Sequence, residues 1–160
     1  MTSAPPPASS SKSLPPAIVT LVVVGIAAVI AGGLIAAVTE PFGLTDGSWA
    51  AAYLVLVWGI SQVAIGAAQQ LIAVVPSPTL AWAVFALWNL GNVGVLVGTL
   101  VALPTVVVAG SVLLLIALVG AFVAVRGAHR RIWAWLYRAL IVVLFVSVFV
   151  GIALSFVRHG

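Results

Sequence analysis

The sequence predicts an all-α membrane protein with five transmembrane helices, a cytoplasmic N-terminus and an external C-terminus. Of its 160 residues, 64% are hydrophobic and 5% are charged, whereas soluble domains average about 25% charged residues. Too few charged side chains are present to cover a surface that faces water. Five apolar stretches can be marked off, each close to the roughly 20 residues that cross a bilayer as a helix.

The chain opens with a polar segment and an apolar run. Residues 1–16 are rich in proline and serine and show no apolar periodicity, so we expect a disordered cytoplasmic tail. Residues 17–38 are the first predicted span, since 22 apolar residues make a helix about 33 Å long. This run exceeds the apolar region of about 7–15 residues in a cleaved secretory signal, which predicts that it stays in the protein.

Turn signals set the ends of four further spans. Ser48 and Thr79 are positioned to cap the second and third spans, because a hydroxyl can accept a hydrogen bond at a helix start. The apolar stretch from Leu80 to Val125 is too long for one crossing, and Pro104 is the strong breaker in its middle. The remaining predicted segments are spans at 50–75, 80–103, 104–125 and 139–157 and an external C-terminus at 158–160.

The distribution of charge predicts the orientation and the lipid contacts. With the N-terminus in the cytoplasm, five of the six basic residues lie inside, and both acidic residues lie outside, as the positive-inside rule requires. The loop before span five mixes arginine with tryptophan and Tyr137, a combination that anchors a protein to the bilayer and does not call for nucleic acid as a partner. The predicted inner-leaflet anchors are Arg126, Arg130, Arg131 and Arg138.

The predicted spans lack the side chains that chemistry inside a membrane requires. The chain has no cysteine, and the spans contain no Asp, Glu, His, Lys or Arg. General acid–base catalysis, proton relays and the ligation of metal or haem all use such groups. We therefore expect no enzymatic activity, no metal and no cofactor.

Five carboxamides are the remaining candidates for function, and they lie on spans two and three: Gln62, Gln69, Gln70, Asn89 and Asn92. Counted from a turn centred at Ser77, Gln62 and Asn92 lie at the same depth, so they can meet if the two spans pack as an antiparallel hairpin. Amides between membrane helices commonly act as packing contacts. The alternative interpretation is a polar lining for water or a small neutral solute.

Small residues predict where helices approach each other closely. Span three has one face with its asparagines and an opposite face of glycines, which predicts two different contacts. Span five carries a small residue every fourth position. Such faces can pack against a neighbour in the bundle or against a second chain. The candidate packing residues are Gly91, Gly94 and Gly98 on span three and Ser147, Gly151 and Ser155 on span five.

Residues 49–62 read WAAAYLVLVWGISQ, in a chain rich in alanine and valine, in which five of the six basic residues are arginine. With this segment and composition, the protein resembles small uncharacterised multi-pass membrane proteins of high-GC actinobacteria. The resemblance implies a bacterial plasma membrane as the location. It supplies no functional residues.

Together these patterns favour a non-enzymatic subunit that assists or assembles a plasma-membrane complex, with another membrane protein or further copies of itself as the partner. The alternative is an oligomeric channel or facilitator for small neutral solutes, lined by the carboxamides of spans two and three. It would be oligomeric because five spans of one chain enclose little space.

Overall fold

The computed structural model describes residues 15–72, 76–125, 132 and 135–146, and its regular structure is helical throughout these ranges. The predicted all-helical fold is confirmed for this part of the chain. Most of the predicted N-terminal tail, residues 1–14, lies outside it. The helices, in chain order, are α1 (Pro16–Thr39), α2 (Gly47–Ile72), α3 (Pro78–Leu100), α4 (Pro104–Ala124) and α5 (Trp135–Val146).

Four of the described helices, α1 to α4, are long and apolar enough to cross a membrane. They have 21 to 26 residues, and their sequences contain no charged side chain. α5 is apolar but shorter. The predicted fifth span, 139–157, overlaps α5 as far as residue 146, and its remainder lies outside the described residues.

The two residues predicted to cap helices, Ser48 and Thr79, do not do so in the structure. α3 begins at Pro78, whose fixed φ suits the first helical position. Ser77 precedes it, and its side-chain oxygen accepts a hydrogen bond from the backbone N–H three residues later, at 3.3 Å. The prediction that Thr79 caps this helix is wrong, because a cap must precede the first helical residue. Ser48 is not a cap either, since α2 begins at Gly47 and Ser48 is already helical.

α2 contains a π-helical stretch in its first half. Residues Gly47–Ala52 are α-helical, Tyr53–Ile60 are π-helical, and Ser61–Ile72 are α-helical again. A π-helix bonds each N–H to the carbonyl five residues back. Ser61 repeats this spacing with its side chain, since its Oγ donates to the Leu56 carbonyl at 3.0 Å. The wider turns change the directions in which the side chains of α2 point.

A short reversal joins α3 to α4. The N–H of Leu103 donates to the Gly98 carbonyl at 2.8 Å, which closes α3 with a Schellman-type turn. This turn places Ala102 at a φ of 53°, in the left-handed region that favours glycine. The end of α1 is closed in the same way, but there the left-handed residue is Gly43, at a φ of 61°.

The helices pack in two pairs that share one core. α1 lies along α2, and α3 lies along α4. Leu21, Ile65, Trp88 and Leu118, one from each of α1 to α4, belong to a single buried cluster that also includes Tyr137 of α5. The predicted hairpin of spans two and three is therefore not the main packing unit, since each of these helices packs most extensively on a different neighbour.

Candidate functional site: polar contacts between the helices

Gln62 connects α2 to the backbone of α1. Its Nε2 donates to the Leu21 carbonyl oxygen at 2.9 Å, and its side chain is 0% exposed. In a helix the Leu21 carbonyl points toward the next turn, where Gly25 has no side chain to cover it. The carbonyl is therefore open to a second donor from α2.

The π-helical stretch of α2 supplies two aromatic donors to α3. Tyr53 Oη donates to Asn92 Oδ1, and Trp58 Nε1 donates to Asn89 Oδ1, both at 2.9 Å. Each asparagine gives its Nδ2 to the carbonyl four residues earlier in α3, at 2.8 Å. This second bond fixes the amide with its oxygen turned toward α2. In both contacts α2 supplies the donor and α3 supplies the acceptor.

Tyr137 joins three helices near the end of α4. Gln69 Nε2 donates to Tyr137 Oη, which donates to the Ala121 carbonyl, each at 3.2 Å. Ala121 lies in the last turn of α4, where carbonyls lack partners within the helix, and the N–H of Val125 bonds to Phe122 instead. Tyr137 therefore caps α4 and links it to α2 and α5.

The burial of Tyr137 corrects one expectation from the sequence. The aromatic residues of the basic loop were expected at the membrane surface, but Tyr137 is 1% exposed. Its hydroxyl finds two partners inside the bundle, so this side chain belongs to the core.

The five predicted amides have three kinds of environment. Four of them bond to a side chain or carbonyl of another helix, whereas Gln70 faces away from the bundle. Gln62, Gln69 and Asn92 are buried, Asn89 is half-buried, and Gln70 is exposed on the outer side of α2.

Gln62 and Asn92 do not bond to each other, although their equal spacing from Ser77 predicted that they could meet. Gln62 reaches α1, whereas Asn92 accepts from Tyr53. The hydrogen bonds from α2 to α3 pair Tyr53 with Asn92 and Trp58 with Asn89, so the two helices are not related symmetrically about Ser77. Tyr53, not Gln62, therefore reaches Asn92.

The predicted glycines of α3 face α4 at very short range. A Cβ on Gly91 would lie 2.8 Å from the Gly110 carbonyl oxygen, and one on Gly94 would lie 3.0 Å from Gly110 Cα. A Cβ on Gly98 would lie 2.8 Å from Val107 N. Side chains at these positions would force the two backbones apart. The three other predicted packing residues lie outside the described residues: Ser147, Gly151 and Ser155.

Arg138 is the predicted inner-leaflet anchor that the structure describes. It is half-buried in the first turn of α5, and its guanidinium carbon lies 5.7 Å from the centre of the Phe122 ring. Its Nε is buried without a hydrogen-bond partner. The other predicted anchors lie outside the described residues: Arg126, Arg130 and Arg131.

Two further polar atoms in the core, Gln62 Oε1 and Trp88 Nε1, are buried without a partner. Beside Gln69 and Leu21, a cleft of about 10 Å³ lies between the ends of four helices, which is room for about one water molecule. Among the described residues, no three His, Asp or Glu side chains converge as a metal ion would require. The polar groups of this region hold neighbouring helices together through hydrogen bonds.

Sequence reasoning missed the aromatic partners of the amides. Tyr53, Trp58 and Tyr137 donate to three of the contacts described above. A buried tyrosine or tryptophan needs an acceptor for its polar tip. The signal that could have identified these partners is a tyrosine or tryptophan on one apolar span together with an asparagine on another.

The part of the chain that the structure describes is helical, and four of its helices have the length and apolarity to cross a membrane. Hydrogen bonds of amide, tyrosine and tryptophan side chains join these helices. No protein-family model matches this chain, and no curated protein or solved structure matches it either.

Proposed function

We propose that this protein is a non-enzymatic integral membrane protein that serves as an accessory or assembly subunit of a complex in a bacterial plasma membrane. The observation that carries this proposal is that the buried amides bond to neighbouring helices of the same chain. Amides used in this way hold membrane helices together. The apolar outer surface of such a bundle is left for lipid or for another membrane protein.

The proposed topology has five spans, with the N-terminus inside and the C-terminus outside. Its fifth span begins in α5 and continues to residue 157. The distribution of basic residues supports this orientation. The resemblance of residues 49–62 to small actinobacterial membrane proteins supports the bacterial plasma membrane as the location.

The absence of enzymatic activity is proposed from the sequence of the helices. α1 to α4 contain no Asp, Glu, His, Cys, Lys or Arg side chain, and proton transfer or metal ligation at membrane depth mostly uses such groups. The polar groups that these helices do contain are amides, hydroxyls and indoles.

An oligomeric facilitator for small neutral solutes is the second candidate. Within one chain the buried amides face protein partners, and the cleft beside Gln69 has room for about one water molecule. A path would therefore have to form between copies of the chain. Gln70, exposed on the outer side of α2, is the amide that favours this candidate.

Extraction of the full chain in a mild detergent, followed by native mass measurement, tests the proposed function. We expect a stoichiometric complex with a different membrane protein. A complex of identical copies that admits glycerol into liposomes, with uptake lost in Gln70→Leu, would contradict the subunit and support the facilitator. Gln62→Leu is the matched control, because it removes an amide inside the chain without changing the outer surface.

A further inference from the structure

Arg138 has no counter-ion among the acidic side chains of its own chain. The two acidic residues, Glu40 and Asp46, are both exposed in the connection between α1 and α2. Tyr137 contacts the last turns of α2 and α4, so Arg138 lies at the end of the bundle opposite that connection. The separation is more than about 30 Å, given the length of α2. Such a distance exceeds the screening length at physiological salt.

The Arg138 side chain is held in one place. The neighbouring Tyr137 fixes the start of α5 through its bonds to Gln69 and Ala121. The guanidinium lies over the Phe122 ring at 5.7 Å, which is the range of a cation–π contact. The guanidinium therefore lies against α4, beside the Phe122 ring.

One donor of this fixed guanidinium is unused. The Nε is buried and has no partner, although the side chain as a whole is only half-buried. A buried donor of a charged group is costly to leave unpaired. The guanidinium as a whole also has no carboxylate of its own chain to balance its charge.

The side chains around Arg138 indicate which kind of anion would balance this charge. Ile132 is 71% exposed and Trp135 is 68% exposed, and they precede Arg138 by six and three residues along the chain. Tryptophan beside an apolar helix is typical of the level of lipid headgroups. Exposed apolar side chains next to an arginine fit a phospholipid, whose acyl chains contact the apolar groups while its phosphate reaches the guanidinium.

We propose that Arg138 binds the phosphodiester of an anionic phospholipid where α4 ends and α5 begins. The planar guanidinium presents paired donors that match phosphate oxygens. This inference rests on the proposed membrane location, because the lipid reaches Arg138 only if this end of the bundle lies at the bilayer surface.

Native mass spectrometry of the detergent-solubilised full chain tests the lipid site. After incubation with phosphatidylglycerol or phosphatidylcholine, we expect the protein to retain phosphatidylglycerol preferentially. Arg138→Gln should lower this retention about tenfold, and Phe122→Leu should lower it less. Arg158→Gln, the same change of charge close to the C-terminus, is the matched control and should leave retention unchanged.

Three outcomes overturn the site: undiminished retention in Arg138→Gln, equal loss in Arg158→Gln, or displacement of the lipid by millimolar sodium phosphate, which would assign the arginine to free phosphate. If Arg138→Gln does not fold, Phe122→Leu decides instead, with unchanged retention counting against the site. Carbonate extraction of membranes separates the two proposals. Protein that stays in the membrane but retains no phosphatidylglycerol overturns the lipid site alone, whereas protein released by carbonate overturns the membrane location.

Discussion

Gln62 on α2 donates a hydrogen bond to the backbone carbonyl of Leu21 on α1, with 2.9 Å between Nε2 and the oxygen. The acceptor is a main-chain group, so no substitution at position 21 removes it. The contact depends on the donor at position 62 and on the close approach of α1 to α2, which Gly25 permits because it has no Cβ. The contact between α1 and α2 therefore uses both a small residue of α1 and an amide of α2.

Gly25→Ala should loosen the contact between α1 and α2. The added Cβ would lie 2.9 Å from Val63 Cγ2 and 3.0 Å from the Gly59 carbonyl oxygen, so the helices must separate. We expect a loss of about 1–3 kcal/mol in the free energy of unfolding, measured by denaturation in detergent. Gly33→Ala is the matched control on α1, because a Cβ there meets nothing within 4 Å. Equal losses in the two variants would contradict the close contact.

Ala102→Gly should stabilise the protein, because the left-handed φ of 53° at this position is strained for alanine. The expected gain is about 0.5–1 kcal/mol, since part of the relief is offset by the greater freedom of glycine in the unfolded chain. The reciprocal change, Gly43→Ala, should destabilise by about 1 kcal/mol. Thermal unfolding of both variants checks the pair, and shifts of the same sign would count against the left-handed helix ends.

Tyr137→Phe should weaken the junction of α2, α4 and α5. The change removes the hydroxyl that accepts from Gln69 and donates to Ala121, with an expected loss of about 0.5–1.5 kcal/mol. Gln69→Leu should add less in the Tyr137→Phe background than it costs alone, because the two side chains share a bond. Unfolding of the two single variants and the double variant measures this. Strictly additive losses would show that the bond is not formed.

The helices could be predicted from the sequence because few alternatives existed. Apolar runs of membrane-spanning length, broken by Pro76, Pro78 and Pro104, leave little choice of where a helix begins or ends. The ends of α1 to α4 differ from the predicted spans by at most three residues. The caps were less predictable. The helix begins at Pro78, so Ser77 precedes it and caps it, whereas Thr79 already lies inside the helix.

The polar contacts could be predicted only in part. The five amides were identified by residue type, but their partners depend on the register between helices. Tyr53 of α2 donates to Asn92, whereas Gln62 reaches α1, and hydrophobic periodicity carries no signal for this register. Counting residues from Ser77 assumed a symmetric hairpin and therefore placed Gln62, instead of Tyr53, opposite Asn92.

Reporter fusions test the proposed five-span topology. Fusions after Val38, Val75, Leu103, Val125 and Gly160 should read outside, inside, outside, inside and outside, since the basic residues hold their end of the bundle in the cytoplasm. Neutralising Arg126, Arg130 and Arg131 together should erode this pattern. A cytoplasmic signal from the fusion at Gly160 in the unaltered chain would contradict five spans.

The central claim is that the buried amides hold the helices together, and a double-mutant cycle on Tyr53 and Asn92 tests it most directly. The variants are Tyr53→Phe, Asn92→Leu and the two combined, with unfolding in detergent as the measurement. Because Tyr53 Oη and Asn92 Oδ1 are direct partners at 2.9 Å, we predict a coupling energy of about 0.6–1.7 kcal/mol. The cycle of Gln62→Leu with Asn92→Leu is the matched control and should be additive to within about 0.5 kcal/mol. Additive losses for Tyr53 and Asn92 would contradict the claim.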